Sequence, residues 1–216
     1  MKTLQDLLQK KDFTTIEALI TQNPQLLDEV NEQGQSGFMQ IVYSFQSVLV
    51  QKALNLKTNF TLYEAAAAGK LEEVKKALAT QPELLNTHSP DGFTAISLAA
   101  YLGKKEVVAY LIAQNADPNK AAKNASKVNA LHAAVACNDA DIVKLLLENG
   151  ADANQPQTQG VSAIHSAVHR GNLAIVKLLV QHKVNVMAKT QDGKTALDFA
   201  EADGHLEVAD YLRNLT

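Results

Sequence analysis

Tyr63, Ser97, His132, His165 and Asp198 share one recurring slot, each directly after an apolar residue of a repeated pattern. A serine, two histidines and an aspartate in one spatial column are the parts of a nucleophilic triad. In such a triad an imidazole takes the serine proton and a carboxylate orients the imidazole. His165 and His169 stand at i and i+4, so they share a helix face and supply two imidazoles toward a metal ion. A closed site needs further ligands, and no Cys or carboxylate lies nearby in the sequence to complete the set. There is no Gly-rich phosphate loop, and Lys75-Lys76 and Lys104-Lys105 read as solvated helix charges.

The elements that carry the column decide what it can do. Ile96-x-x-Ala99-x-x-x-Gly103 recurs at Leu62, Leu131, Ile164 and Leu197, so the steps from Leu62 onward are 34, 35, 33 and 33 residues. A second apolar set keeps the same register, as in Val107/Val108/Leu111/Ile112, Ile142/Val143/Leu146/Leu147 and Ile175/Val176/Leu179/Val180. Spacings of i, i+1, i+4 and i+5 lie on one helical face. Each unit is therefore predicted to be two short helices joined by a Gly-containing corner. Equivalent positions in stacked helices lie about 8–10 Å apart, whereas a nucleophile and its base need about 2.6–3.2 Å. The spacing argues against a triad, and neither a catalytic residue nor a metal site is expected.

The first quarter of the chain repeats the same pattern less exactly. A shift of 58 aligns Leu4 with Leu62, Ile16 with Val74, Pro24 with Pro82 and Gly34 with Gly92. A further unit starts at Phe38, 24 residues before Leu62, and lacks the roughly ten-residue connector of its siblings. Seven units are predicted, starting at Leu4, Phe38, Leu62, Ile96, Leu131, Ile164 and Leu197. They form one continuous solenoid, with degenerate repeats over residues 1–61 and five regular ones over residues 62–216. The missing connector predicts a kink or altered twist at unit two. Between units, Asp91-Gly92 and Asp192-Gly193 read as hairpin turns, and Asn119 and Asn154 are expected to order their own turns.

Unit four reads Thr94-Ala95-Ile96-Ser97-Leu98-Ala99, unit five Asn129-Ala130-Leu131-His132-Ala133-Ala134, and unit six Ser162-Ala163-Ile164-His165-Ser166-Ala167. With Gly150-Ala151-Asp152-Ala153-Asn154 in a connector, the chain resembles the ankyrin repeat family, whose period is about 33 with a T-P-L-H-x-A signature. The match is closest in units four to seven. Ala95, Ala130, Ala163 and Ala196 replace the signature proline, which predicts slightly looser helix starts. The resemblance implies an all-α solenoid of stacked helix-turn-helix units with hairpin loops, and structural hydrogen bonds for His132 and His165. It also implies a non-enzymatic scaffold that binds another protein through its concave face, on hairpin tips and first helices of units four to six. Carrying the family's variable contact positions across picks out Phe93, Tyr101 and Leu102 in unit four and Val128 and Cys137 in unit five. In unit six it picks out Val161, His169 and Arg170. The centre of this set is apolar and its edge polar, as binding surfaces are. Phe93 and Val128 could instead fold over neighbouring tips. Arg213 replaces the apolar residue of its siblings, as suits a capping end.

Composition agrees with this reading. The 216 residues carry 20 Lys+Arg against 23 Asp+Glu, for a net charge of -3, which argues against nucleic acid as partner. A hydrophobic fraction of 46% is too high for disorder, and the greasiest window, Phe38 to Val50, is too short and too polar to span a bilayer. One cysteine and an opening that holds Gln5 and Asp6 predict a cytoplasmic protein without a secretion signal. No cofactor and no small-molecule substrate is expected, and a monomer is. Two other readings stay open. One is an enzyme or small-ligand or metal binder using the His132/His165 region. The other is an accessory subunit that stacks end-on through its N-terminal repeats.

Overall fold

The computed structural model describes residues 4–215. Met1–Thr3, part of the opening read above as lacking a secretion signal, and Thr216 lie outside the described residues. The described chain forms seven consecutive helix pairs: α1 (Leu4–Gln9) with α2 (Phe13–Gln22), α3 (Gly37–Val42) with α4 (Ser47–Leu56), and α5 (Leu62–Ala68) with α6 (Leu71–Thr80). They continue with α7 (Ala95–Tyr101) and α8 (Lys105–Ala113), α9 (Ala130–Cys137) and α10 (Ala140–Glu148), and α11 (Ala163–His169) and α12 (Leu173–Gln181). The last pair is α13 (Ala196–Ala202) and α14 (Leu206–Arg213). First helices pack on first helices, α5 on α7, α7 on α9 and α9 on α11 on α13, and second helices follow the same order.

Helices this short are marginal alone, so packing of their apolar faces must supply most of their stability. The anchors do this: Phe38, Ile96, Leu131 and Ile164 are all at most 1% exposed, and burying each contributes roughly 1.5–3 kcal/mol. Local signals set the ends. Thr61, Thr94, Asn129 and Thr195 cap the first helices of their units, each accepting a hydrogen bond from the backbone N–H three residues on. The alanines that replace the signature proline are 0–1% exposed beneath these caps. The helix starts are held by caps and burial, which offsets the loss of a fixed φ.

Every corner turns at the same place, seven residues after the anchor. The backbone there is left-handed at Lys11, Phe45, Gly69, Gly103, Asn138, Gly171 and Gly204. In six of these corners the following N–H reaches back to the carbonyl four residues before the corner: Asp12 to Leu7, Lys70 to Ala65, Lys104 to Ala99, Asp139 to Ala134, Asn172 to Ala167 and His205 to Ala200. This is a Schellman-type closure, for which glycine or asparagine is the usual residue.

The hairpin fingers are tied side by side. Backbone hydrogen bonds run from Lys123 N to Gly92 O (2.9 Å), Thr158 N to Ser126 O (3.2 Å) and Gln191 N to Gln159 O (2.9 Å). Asn119 and Asn154 depart from expectation. Rather than ordering their own turns, they bridge to the next unit: Asn119 donates to Gly150 O (2.8 Å) and accepts from Asp152 N (2.8 Å). Asn154 likewise donates to Lys183 O (3.3 Å) and accepts from Asn185 N (2.7 Å). Asp117 and Asp152 order the turns instead, each accepting from the N–H two residues on. A side-chain amide can donate and accept at once, which suits it to link two backbones.

Unit two lacks a finger: residues 57–61 pass directly from α4 to α5. The fingers that lead into units two and four close the gap. A Cβ at Gly34 would lie 2.6 Å from Pro90 Cβ, so the Gly34 backbone packs directly on the Pro90 ring. Pro90 stands where Gln191 donates to its neighbour in the last finger, and proline has no N–H to offer. Below this contact Lys57, its side chain 2% exposed, is paired with Asp28 and lies 3.3 Å from Glu64. Glu64 also accepts from Ser36 Oγ (2.6 Å) and Thr61 N (2.9 Å). A charged staple thus replaces the ladder bonds of the absent finger. At the far end Arg213 is half exposed and pairs with Glu201 at 2.8 Å and Asp210 at 2.6 Å.

Candidate functional site

The slot that suggested a triad is used for capping. Asn129 N donates to His132 Nδ1 (3.3 Å) while His132 N donates to Asn129 Oδ1 (3.0 Å). Ser162 N donates to His165 Nδ1 (3.1 Å) in the same way, and Asp198 accepts from Thr195 N (2.7 Å) and Thr195 Oγ1 (2.6 Å). His165 Nε2 pairs with the Ala188 carbonyl of the next finger at 3.0 Å. His132 Nε2 faces the equivalent Gln155 carbonyl but closes no hydrogen bond. Burial pushes His132 down to about 4 and lowers His165 as well, so both are neutral at pH 7. His132, His165 and Asp198 are therefore committed to capping the helix starts of their own units. His169, the other half of the i, i+4 pair, turns away to Asp203 Oδ2 at 2.7 Å. Among the described residues no cluster of three or more His, Cys, Asp or Glu is placed to hold a metal.

A groove of about 460 Å³ opens between the fingers and the exposed ends of the first helices. Phe93 and Val128 enter from the fingers, Tyr101 and Ala136 from α7 and α9, and Tyr43 and Phe45 from the corner of unit two. Its polar lining comes from Gln35, Ser126, Gln157 and Ser166, and His132 is at its floor. Of the residues carried over from the family pattern, Phe93, Tyr101 and Val128 meet in this groove. Phe93 and Val128 are half-buried, while Tyr101 is 38% exposed.

The other carried-over residues lie outside the groove. Leu102 packs partly buried on the N-terminal core. Cys137 is half-buried at the next corner, with its thiol held up by burial and the carboxylate of Asp139. Val161 is half-buried, and its carbonyl accepts from Gln157 N at 2.8 Å to close its finger. His169 and Arg170 are exposed on the edge formed by unit six.

Tyr43 and Phe45 were missed by the sequence reading, which centred the surface on units four to six. They reach unit four because unit three between them is thin. α5 reads Leu-Tyr-Glu-Ala-Ala-Ala-Ala before Gly69, so Ala67 stands where units two and four carry Tyr43 and Tyr101. Phe45 and Tyr101 meet edge to face at 5.8 Å between ring centroids, a favoured aromatic arrangement. The Tyr43 hydroxyl donates to Asp91 Oδ2 at 2.9 Å, and burial together with that carboxylate raises its pKa well above the phenol range. Asp91 also accepts from Ser89 Oγ at 2.5 Å. The available signal was Phe45 itself, an aromatic in the slot where most siblings hold glycine.

A family model described as ankyrin repeats (3 copies) matches residues 62–157 and 131–215. The chain belongs to the ankyrin repeat family. The matched span covers units three to seven, which carry Phe93, Tyr101 and Val128 of the groove, while Gln35, Tyr43 and Phe45 precede it. No curated protein matches the chain. Ankyrin repeats are typically protein–protein interaction scaffolds, and the family is usually non-catalytic. No helix among the described residues is long and apolar enough to cross a membrane.

Proposed function

We propose that this ankyrin repeat protein is a non-enzymatic scaffold that holds another protein in the groove between its fingers and first helices. The observation that carries this reading is the cluster of half-exposed aromatic side chains, Phe45, Phe93 and Tyr101, around a 460 Å³ groove. Solenoids use such surfaces for extended contacts, and tyrosine is frequent among the residues that dominate binding energy. Leu102, Cys137, Val161, His169 and Arg170 then form the periphery of the contact. The commitment of His132, His165 and Asp198 to capping favours recognition over catalysis, since no free nucleophile–base pair remains in that column.

The test compares the wild type with the F93A/Y101A double variant in affinity capture from the native source. The two melting curves should be similar, because neither side chain belongs to the fully buried core. Proteins retained by the wild type should be lost from the double variant. Equal retention by both would remove the groove as the binding site.

A further inference from the structure

Five of the seven corners place Gly or Asn in the left-handed position, Lys11 fills another, and unit two places Phe45 there at φ 54°. A bulky side chain pays a steric penalty in that conformation that glycine avoids. Phe45 is nevertheless 60% exposed, so burial does not explain its presence. Its ring stands over the groove against Tyr101.

Cations without ion-pair partners stand near the groove. Lys127 projects from the finger between the lining residues Ser126 and Val128, and Lys123 is exposed on the same finger. Arg170 is exposed at the end of α11, four residues after the lining residue Ser166, and Lys104 follows the corner of unit four. None of these four cations has an ion-pair partner among the described residues. The carboxylates close by are engaged: Asp91 with Tyr43 and Ser89, Asp139 at the start of α10, and Asp203 with His169. Glu32 is exposed on the finger that carries Gln35, and Asp192 is on the last finger. A chain with net charge -3 thus places four cations without ion-pair partners near its apolar groove, with Lys123 and Lys127 together on one finger.

We infer that Phe45 is held in its strained corner as an anchor for an apolar segment of a partner protein whose flanks carry Asp or Glu. This rests on the scaffold reading above and specifies its occupant. The apolar residues would seat between Phe45, Tyr101 and Val128, and the flanking carboxylates would meet Lys127 on one side and Arg170 on the other. Electrostatic complementarity of this kind chooses the partner and speeds its encounter.

The test is a random peptide display library selected on the wild type, followed by fluorescence-anisotropy titration of the enriched peptides. Phe45→Gly and Phe45→Asn, the residue types of the sibling corners, should melt at or above the wild-type temperature. They should weaken the enriched peptides at least tenfold. Those peptides should combine aromatic or aliphatic residues with Asp or Glu, and Lys127→Glu should weaken them further at low salt than at high salt. Three results would overturn the inference: a lower melting temperature with unchanged binding, which would make Phe45 structural; enrichment of basic or uncharged flanks; or binding lost in F93A/Y101A but kept in F45G. The last would leave the scaffold reading intact. No enrichment on the wild type over a blank support would remove both.

Discussion

Gly34 and Pro90 touch across the place where unit two lacks its finger, and position 34 has no room for a Cβ. The added atom would meet Pro90 Cβ at 2.6 Å, on a backbone already at φ 74°. Gly34→Ala therefore combines a steric overlap with a left-handed strain and should cost about 1–3 kcal/mol. A urea melt checks this. Gly193→Ala, also left-handed but with open space around it, should cost less, and an equal loss would show that the Pro90 contact adds nothing.

Lys57 should be needed only while Glu64 is charged. Its removal in Lys57→Met leaves the Glu64 carboxylate, 6% exposed, without its cation. Breaking a buried pair from one side costs roughly 3–5 kcal/mol, with part offset here by the hydrogen bonds from Ser36 and Thr61. In a Glu64→Gln background the same substitution should cost much less. A double-mutant cycle by chemical denaturation measures the difference, and additivity would show that the pair is uncoupled.

Stability should fall in mild acid through His132. Its folded pKa lies at about 4 against 6.5 for an ordinary histidine. The unfolded chain therefore binds more protons between those values, and stability rises with pH across the window. The contribution is whole above about pH 6.5 and is lost as pH falls toward 4, on the order of 3 kcal/mol in all. His165, also lowered by burial, acts with the same sign. Denaturation midpoints at pH 7.5, 6 and 5 should drop for the wild type and drop less for His132→Gln. Parallel curves for the two proteins would exclude His132 as a source.

Asn154 should matter through its bonds to the next unit rather than through its own turn. Asn154→Ala removes the bonds to Lys183 O and Asn185 N and should destabilise by about 1–2 kcal/mol. Hydrogen exchange should rise in the connector after α12. A change confined to residues 149–155 would return Asn154 to the local role that its sequence context suggests.

The repeating sequence by itself determined the helix pairs, their corners and their order of stacking. A period of 33–35 residues with one apolar face per helix has few ways to bury that face, and each anchor, cap and corner repeats the same local choice. It also argued against a triad in the Ser/His/Asp column, because stacked units hold equivalent positions too far apart for direct proton transfer. Periodicity says which positions are equivalent, but not which units touch when one is abnormal. The meeting of Phe45 with Tyr101, of Tyr43 with Asp91 and of Gly34 with Pro90 was decided by tertiary structure alone. A missing finger and a helix of alanines let residues of unit two and its finger reach past unit three. Those contacts depend on atoms that are absent, and a pattern of residues present does not record the space they leave.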